Sequence, residues 1–339
     1  MTLVVKTAAC AVLASLLLAG CGERIEEFGG PTMGSHYSLK YLAGENSPEP
    51  AAVKAEVELL LAQVDQQMST WRSDSELSEF NRLPAGSCRV MPEAVLELVR
   101  AGEQLSRDSD GAFDLTVSPL LELWGFGPQS RGERIPSAAE ISALRANVGH
   151  QHLRIDGQQL CKDAAVAVDL GSIAAGYSVD RVAARLTELD VHSFLLDITG
   201  ELKAVGRKPD GSAWRIAIEV PRDDLREASQ ILELDGLAVS TSGDYRNYFE
   251  KDGRRYSHTL NPQTGAPIDH RLASVTVVDT SAQRADGLST LLMVLGPEQG
   301  EAFAERAAIA ALFISRSADG FVSHATTQFN RRFGAGAKQ

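Results

Sequence analysis

The sequence has 339 residues, of which 44% are hydrophobic and 23% are charged, and its formal net charge is −12 at pH 7. This mixture is typical of a globular protein of one large domain or two modest ones, and it excludes a disordered chain. No basic stripe is interleaved with aromatic residues, which argues against a nucleic-acid partner. An acidic protein that binds an anionic ligand must compensate the charge locally, through backbone N–H groups, a few cationic side chains or a divalent cation.

The N-terminal segment has the pattern of a lipoprotein export signal. Lys6 supplies a basic start, the apolar stretch AACAVLASLLLAG is short for a membrane span, and LAGC places Cys21 directly after small residues. We predict a signal peptide over residues 1–20, a tether over 21–30 and a folded domain over 31–335. A lipid on Cys21 would hold this domain at the periplasmic side of the inner membrane. A plain secretory peptide with an incidental cysteine is the alternative.

Two cysteines remain once Cys21 and the one inside the signal are set aside. These are Cys88 and Cys161. Two thiols in an oxidising compartment can pair, but the sequence leaves open whether their Cα atoms approach closely enough for a disulfide. They are too few and too far apart in the sequence for a zinc site.

Helical periodicity dominates the first half of the chain. The alternating segment HYSLKYL predicts a strand. Apolar residues at helical spacing then predict helices over 51–68, 92–107 and 137–147, and the second of these starts at Pro92. A Gly/Pro-rich segment, WGFGPQSRGERIPS, separates the second helix from the third.

Strands dominate the second half. The run AVAVD ends at Asp169 and passes through Gly171 and Ser172 into a helix. A further helix is predicted over 284–296, ending at its last glycine, and the Asp-Gly pair at 252–253 predicts a hairpin turn. Other strands are predicted at SFLLDI, ELKAVG, WRIAIEV, LELDGLAVS, ASVTVVD, AALFISR and GFVSHAT.

The order of these elements predicts an α+β fold. Most strands are neighbours joined by hairpins, and the helices lie between groups of strands instead of alternating with single ones, so we expect mixed, largely antiparallel sheets flanked by helices. A doubly wound sheet is the weaker alternative. The sequence contains neither a G-x-G-x-x-G after a strand nor a G-x-x-x-x-G-K-[ST] loop, so neither common nucleotide-binding fold is indicated.

The segment RADGLST offers a candidate cation site. In a helix, Asp286 and Thr290 are four residues apart and project from one face, presenting a carboxylate and a hydroxyl oxygen together. Hard oxygens of this kind suit magnesium or calcium, and magnesium is often held by few protein oxygens plus the phosphates of a ligand. The alternative is that Asp286 only favours the helix dipole and that Thr290 packs.

Other candidate residues are weaker when taken singly. The strand-to-helix junction after Asp169 directs free N–H groups beyond the sheet and suits a phosphate, or it is an ordinary helix cap. Trp71 and Phe113 have the shape to stack on a flat ring whose polar edge Asp114 would bond, although aromatic residues are more often core. His258 lies where a strand ends, and a structural histidine is the alternative there.

Taken in order, these segments resemble the FAD:protein FMN transferases, the ApbE-like lipoproteins. Eight ordered blocks, between about residues 31 and 296, carry the resemblance. The blocks are PTMGSHYSLK, MSTWRSDSELSEFN, GAFDLTVSPLLELWGFGP, VDLGSIAAGYSVDRV, LLDITGELKAVG, AVSTSGDYRNYF, YSHTLNPQTGAPI and SVTVVDTSAQRADGLSTLLMVLG. The resemblance implies a two-lobed ApbE-like fold. It also implies a reaction in which FAD is cleaved at its pyrophosphate, FMN is joined to a Thr or Ser hydroxyl of a target protein, and AMP leaves.

The resemblance also assigns roles to individual residues. It implies a Mg²⁺ site formed by Asp286, Thr290 and the backbone carbonyl of Ser172, in which Asp286 helps to stabilise charge at the phosphorus under attack. It implies that His258 assists proton removal from the acceptor hydroxyl. The positions that match the family's FAD contacts are Met33, Trp71, Ala112, Phe113, Asp114, Asp169, Ala175 and Leu260.

Three positions depart from the family pattern. Ala175 stands where the family often has Lys, Thr199 replaces a Gly of the usual DIGGE turn, and Asn261 replaces an Asp. None of the three is a proposed metal ligand, so we expect the departures to affect cofactor contacts more than the reaction.

The implied partners are FAD and an acceptor protein, expected to be a subunit of a membrane electron-transport complex of the sodium-translocating NADH:quinone reductase or Rnf type. Two alternatives stay open. One is a metal-dependent FAD pyrophosphatase that uses water as the nucleophile and releases FMN and AMP. The other is a non-enzymatic flavin-binding lipoprotein.

Overall fold

The computed structural model describes residues 24–44, 46–130, 132–222, 227–245 and 247–334. The predicted signal peptide over 1–20 and the predicted lipid site at Cys21 lie outside the described residues. No helix in the described part is long and apolar enough to cross a membrane.

Helices and strands are interspersed along the described chain. The helices are α1 Pro50–Met68, α2 Glu76–Asn81, α3 Glu93–Asp108, α4 Ser118–Trp124, α5 Ala138–Arg145, α6 Ala174–Glu188, α7 Ala282–Arg306 and α8 Thr327–Phe333, with a short 3₁₀ helix at His150–His152. The strands are β1 Arg24–Thr32, β2 Ser35–Ala43, β3 Ser87–Val90, β4 Leu153–Asp156, β5 Gln159–Lys162, β6 Phe194–Ile198, β7 Glu201–Val205, β8 Trp214–Glu219, β9 Ala228–Leu234, β10 Leu237–Gly243, β11 Tyr248–Lys251, β12 Arg254–Ser257, β13 Leu260–Asn261, β14 Ala266–Pro267, β15 Leu272–Asp279, β16 Ala310–Ser317 and β17 Gly320–Ala325.

One eight-stranded sheet forms the centre of the described structure. Its order is β1-β2-β6-β7-β10-β15-β16-β17, and every pairing within it is antiparallel. Smaller sheets of two or three strands surround it. The predicted α+β fold with largely antiparallel sheets flanked by helices is therefore confirmed.

Residues 24–30 form a strand, so the predicted tether is wrong for this part of the chain. Strand β1 pairs with β2 along its whole length, from Arg24 opposite Ala43 to Thr32 opposite Ser35. Gly29, Gly30 and Pro31 lie within this strand, and an edge strand tolerates proline and glycine. Gly29 fits because the strand lies so close to β2 that a Cβ atom there would approach the carbonyl oxygen of Tyr37 to 2.5 Å.

Helices α6 and α7 pack against each other and against the sheet, and both were predicted. Their contact depends on Gly176, where a Cβ atom would meet the carbonyl oxygen of Ala282 at 2.3 Å. The chain leaves the helical conformation at Gly296, as expected, with φ 77°. A second helical segment follows at once, with Pro297 near its start, and extends to Arg306. Proline is well suited to a first helical turn because the backbone nitrogen there need not donate a helical hydrogen bond.

The segment LELDGLAVS forms two strands, where one was predicted. Strand β9 ends at Leu234 and pairs with β8 in a separate two-stranded sheet, whereas β10 starts at Leu237 in the central sheet. Gly236 between them has φ 68°, which glycine adopts without strain. The Asp-Gly pair in this segment was therefore a turn signal, like the pair at 252–253, which does join β11 to β12.

Cys88 and Cys161 form a disulfide. They face each other across the pairing of β3 with β5, with their Cα atoms 4.0 Å apart. The question that the sequence left open is thus answered by a three-stranded sheet that sequence periodicity did not reveal.

Candidate functional site

Several chain turns meet at one end of the central sheet. Met33 lies in the turn between β1 and β2, and Thr199 lies in the turn between β6 and β7. The two turns come together because Tyr37 of β2 pairs with Ile198 of β6. The last residues of β10, including Ser242, reach the same end, since Val239 pairs with Leu202 of β7. We call this the turn end of the sheet.

Asp286 lies in the interior, beneath these turns. Helix α7 places it against α6, where its Oδ2 accepts a hydrogen bond of 2.9 Å from the backbone N–H of Gly176. Asp286 is only 5% exposed to solvent. Burial, and after it the negative charge of Glu201, raises the pKa of Asp286 well above its ordinary value. A carboxylate kept in this position is costly unless a cation is bound nearby.

Glu201 is the functional candidate that sequence reasoning missed. It is the first residue of β7, and its Oε2 accepts a hydrogen bond of 2.9 Å from Thr199 Oγ1. Ser240 also donates to this carboxylate. Burial raises the pKa of Glu201 as it does that of Asp286. The signal that was available is an acidic residue directly after a tight turn and inside a run of otherwise strand-forming residues.

Hydroxyl groups surround the two carboxylates. Ser289 Oγ lies 3.2 Å from Ser240 Oγ and 2.9 Å from Ser242 Oγ, and it donates to the backbone carbonyl of Asp286. Thr290, one helical turn after Asp286, lies 3.4 Å from Ser242 Oγ through its hydroxyl oxygen. The predicted arrangement of Asp286 and Thr290 on one face of a helix is therefore present.

The donor set fits a hard divalent cation. Carboxylate and hydroxyl oxygens are the ligands that Mg²⁺ prefers. A bound cation would also stabilise the ionised form of the two carboxylates, which burial disfavours. Within the described residues there is no group of three or more His, Cys, Asp or Glu side chains of the kind that would hold a metal alone. A cation here would rely on few protein oxygens and on the phosphates of a ligand.

Ser172 and Ala175 lie at the junction before α6. They are near Gly176 in the sequence, and the N–H of Gly176 donates a hydrogen bond to Asp286. The helix starts at Ala174, after a turn at 171–173, and so begins slightly later than the sequence indicated. Asp169 Oδ1 accepts a hydrogen bond of 2.7 Å from the N–H of Gly171, and burial raises the pKa of this carboxyl. Asp169 thus shapes the turn that precedes the helix.

His258 directly follows β12, at the strand end where the sequence placed it. Its Nδ1 lies 2.8 Å from the backbone carbonyl of Asn247. Because a carbonyl can only accept, Nδ1 carries a proton and Nε2 keeps the free lone pair of the neutral ring. Burial lowers the pKa of His258, partly offset by the carbonyl of Asn247 and the charge of Asp244. The lowered pKa therefore favours the neutral ring at pH 7.

The side chains of Met33 and Trp71 differ in how far they are exposed to solvent. Met33 has φ 46° at the tip of its turn, and its partly buried side chain packs against the two largest hydrophobic cores. Trp71 is 73% exposed, which is unusual for so large an apolar ring and leaves its face available to a ligand.

The remaining predicted FAD-contact residues are mostly buried. Ala112 and Phe113 belong to the largest core, and Leu260 belongs to a smaller one with Trp124. Phe113 does not pair with Trp71 on the surface, so a ligand contact at 112–113 would involve the backbone. These assignments stay predictions.

Asp114 organises the loop beside a cavity of about 440 Å³. Its Oδ1 accepts from the backbone and hydroxyl of Thr116, and its Oδ2 accepts a hydrogen bond of 2.8 Å from the N–H of His150. Pro262 and Gln263, four and five residues after His258, also line this cavity. The carboxylate of Asp114 is thus already engaged by the protein itself.

Comparison with known proteins identifies relatives along almost the whole chain. The sequence profile of the ApbE family matches residues 33–313. A relative named FAD:protein FMN transferase from Vibrio cholerae is 44% identical over 322 residues, covering 94% of this chain and 96% of the relative. A protein of the same name from Escherichia coli K12 is 35% identical, covering 93% of this chain and 94% of its own length.

Solved structures agree with this comparison. The fold matches the apo form of the flavinyl transferase ApbE from Pseudomonas stutzeri with a TM-score of 0.88 and 62% identity, covering 93% of this chain and 98% of that one. It matches the flavin transferase ApbE from Vibrio cholerae with a TM-score of 0.85 and 42% identity, covering 91% and 100% of the two chains.

Proposed function

The chain belongs to the ApbE family and is an FAD:protein FMN transferase, and from this premise we propose that it works with Mg²⁺ bound at the turn end of the sheet. Asp286 and Thr290 would hold the cation, together with the carbonyl of Ser172. The observation that carries the proposal is geometric: Asp286, which is buried, and Thr290 lie one turn apart on α7, beside the hydroxyls of Ser289 and Ser242.

Charge balance supports the cation. The protein has a net charge of −12, and its substrate carries two adjacent phosphates. The carboxylates of Asp286 and Glu201 at the same place would repel such a ligand. Mg²⁺ held by Asp286 and Thr290 would supply positive charge against the diphosphate and against the charge that develops at the phosphorus under attack.

His258 supplies the base. The acceptor hydroxyl of a Thr or Ser gives its proton to Nε2, its oxygen forms a bond to the phosphorus of the FMN half, and the bond from that phosphorus to the oxygen of AMP breaks. Nδ1 stays bound to the carbonyl of Asn247, which fixes the ring during the transfer. General base assistance of this kind contributes about 10² to 10⁴ in rate.

We further propose where the reaction takes place. A lipid on Cys21 would hold the enzyme at the periplasmic side of the inner membrane, and the acceptor would be a subunit of a membrane electron-transport complex. The sequence LAGC supports the anchor, and the disulfide between Cys88 and Cys161 supports an oxidising compartment.

A single incubation tests the proposal. The protein is mixed with FAD, Mg²⁺ and an acceptor domain that carries a candidate threonine, and the products are separated on a denaturing gel and by chromatography. We expect covalent flavin fluorescence on the acceptor band with one AMP released per flavin bound, lost with a chelator and restored by Mg²⁺. Free FMN and AMP without a labelled band would indicate a pyrophosphatase, and FAD that stays intact would indicate a binding protein.

A further inference from the structure

An ion pair fixes the chain where it leaves β10. Asp244 directly follows Gly243, the last residue of that strand, and Arg316 is the second-last residue of β16. Strand β15 lies between β10 and β16 in the sheet, so the pair reaches across it. Nη1 and Nη2 of the arginine donate to the two carboxylate oxygens, each over 2.7 Å. A bidentate pair of this kind restricts orientation as well as distance.

The backbone holds both members of the pair in place. The N–H of Asp244 donates to the carbonyl of Ala273 over 3.1 Å, and the N–H of Arg316 donates to the carbonyl of Arg271 over 2.9 Å. Asp244 is 8% exposed, so this is not an ordinary surface ion pair, and removing one partner would leave a charge that is poorly solvated. The pair therefore determines where the segment after β10 leaves the sheet.

That segment carries the hydrogen-bond acceptor of His258. Three residues after Asp244, the carbonyl of Asn247 accepts from Nδ1 of His258 over 2.8 Å and from its backbone N–H over 3.1 Å. The segment has little room to shift, because a Cβ atom at Gly243 would lie 2.5 Å from the ring of Tyr245. A displacement of Asn247 would release the imidazole and the end of β12 together.

The charges around His258 give Asp244 a second effect. Its negative charge raises the pKa of the imidazole, against the larger and opposite effect of burial. Phe126, after α4, offers the ring an aromatic edge at 6.4 Å between centroids and carries no charge. Arg255, on β12, lies over the ring of Tyr248, 3.8 Å from its centroid. Of these neighbours, Asp244 is the one with a negative charge.

The partner of Nδ1 decides how basic the imidazole is. A carboxylate at Nδ1 would stabilise the protonated ring more strongly than a neutral carbonyl does. We propose that Arg316 is a positioning residue for the transfer reaction: through Asp244 it fixes the carbonyl of Asn247 against His258, and it keeps the carboxylate from taking the place of that carbonyl. This inference rests on the proposed role of His258 as the base.

Nitrogen NMR of the full chain with ¹⁵N-labelled histidine tests the positioning without using activity. The spectrum of His258→Gln identifies the signal of His258 among the seven histidines. We expect the wild-type ring to carry its proton on Nδ1. In Arg316→Gln the carboxylate is no longer compensated, so the midpoint of the His258 titration should move to higher pH. In Asp244→Asn that negative charge is gone, so the midpoint should move to lower pH.

The double variant Asp244→Asn/Arg316→Gln replaces the ion pair by two amides. Its titration midpoint should lie between those of the two single variants. A pair with a structural role alone would lower the melting temperature in every variant without moving the midpoint in opposite directions. Shifts of the same sign in both single variants, or no shift in either, would overturn the proposal.

The variant Arg316→Lys separates geometry from charge. Lysine keeps the positive charge but cannot form the bidentate contact, so we expect an unchanged titration midpoint and a transfer rate about tenfold lower, with the KM for FAD retained. The matched control is Arg271→Gln, which breaks an exposed ion pair of 2.9 Å with Glu298 and should alter neither the midpoint nor the rate. Transfer by Arg316→Lys at the wild-type rate would refute the positioning role.

Failure of the proposed function would give a different result. If His258→Gln transferred FMN at the wild-type rate, the imidazole would not be the base. The NMR midpoints of the Arg316 and Asp244 variants would still decide whether the ion pair positions the ring.

Discussion

Burial changes pKa values in opposite directions in two regions of the candidate site, which we call the floor, with Asp286 and Glu201, and the rim, with His258. In the floor, formed by α7 and β7, burial raises the pKa values of Asp286 and Glu201. At the rim, after β12, burial lowers the pKa of His258. Loss of water favours the neutral form in each case, so it makes the two carboxyls more basic and the imidazole less basic. Burial therefore shifts the pKa values of the two carboxyls and of the imidazole in opposite directions.

The strongest way to break this comparison is to remove the floor carboxylate. We expect Asp286→Ala to lower AMP release by about 10³-fold or more, because the charge at the phosphorus is no longer balanced. The fold should survive, as judged by circular dichroism, since the substitution removes a buried charge and leaves the helix intact. Full activity of this variant in chelator-treated buffer would show that the metal assignment is wrong.

Removal of the base at the rim should have the next largest effect. We expect His258→Gln to lower the transfer rate by about 10²-fold or more while FAD binding is retained. The wild-type rate should fall only as the pH drops below about 6.5, since the lowered pKa keeps the ring neutral above that pH. A pH profile of the variant that keeps this acidic limb would contradict the role of His258 as the base.

A larger residue at the contact between α6 and α7 should disturb the floor of the site, with Asp286, and leave the rim, with His258, unchanged. A Cβ atom at Gly176 would lie 2.8 Å from Cβ of Asp286, so we expect Gly176→Ala to push the helices apart. The cost should be about 1 to 3 kcal/mol of unfolding free energy, measured by denaturant, with weaker Mg²⁺ binding in calorimetry. The control is Ala184→Gly on the exposed side of the same helix, which should cost about 1 kcal/mol and leave Mg²⁺ binding unchanged.

The smallest expected effect is a pH-dependent change in thermal stability caused by the raised pKa of Asp286. A raised pKa means that the folded state holds its proton more tightly than the unfolded state does. The stability that Asp286 contributes is therefore present at low pH and is lost as the pH rises through its folded pKa. We expect Mg²⁺ to raise the melting temperature of the protein more at pH 7 than at pH 5. In Asp286→Asn the gain should be small and alike at both pH values.

Local signals in the sequence predicted many helices and strands, but not all of the contacts between residues that are far apart in the chain. The Asp286 and Thr290 pair was found because helical periodicity fixes which residues share a face. His258 was placed correctly at a strand end because the hairpin before it has an Asp-Gly turn. Glu201 was missed because its proximity to Asp286 arises from the packing of α7 on β7, a contact between residues far apart in the sequence.

Pairing between distant strands was likewise invisible. The disulfide depends on the pairing of β3 with β5, and neither strand has more than four residues to show an alternating pattern. Residues 24–30 were predicted to be a tether before the folded domain, whereas they form most of strand β1 through pairing with β2, which the local sequence does not reveal.

The disulfide makes the stability of this protein depend on its redox history. It closes a loop of 73 residues, and a link of that length restricts the unfolded chain by about 4 kcal/mol. A sample made in a reducing cytosol lacks the link until it meets an oxidant. Two preparations with identical sequences can therefore melt at different temperatures while the turn end of the sheet, built on other strands, remains the same.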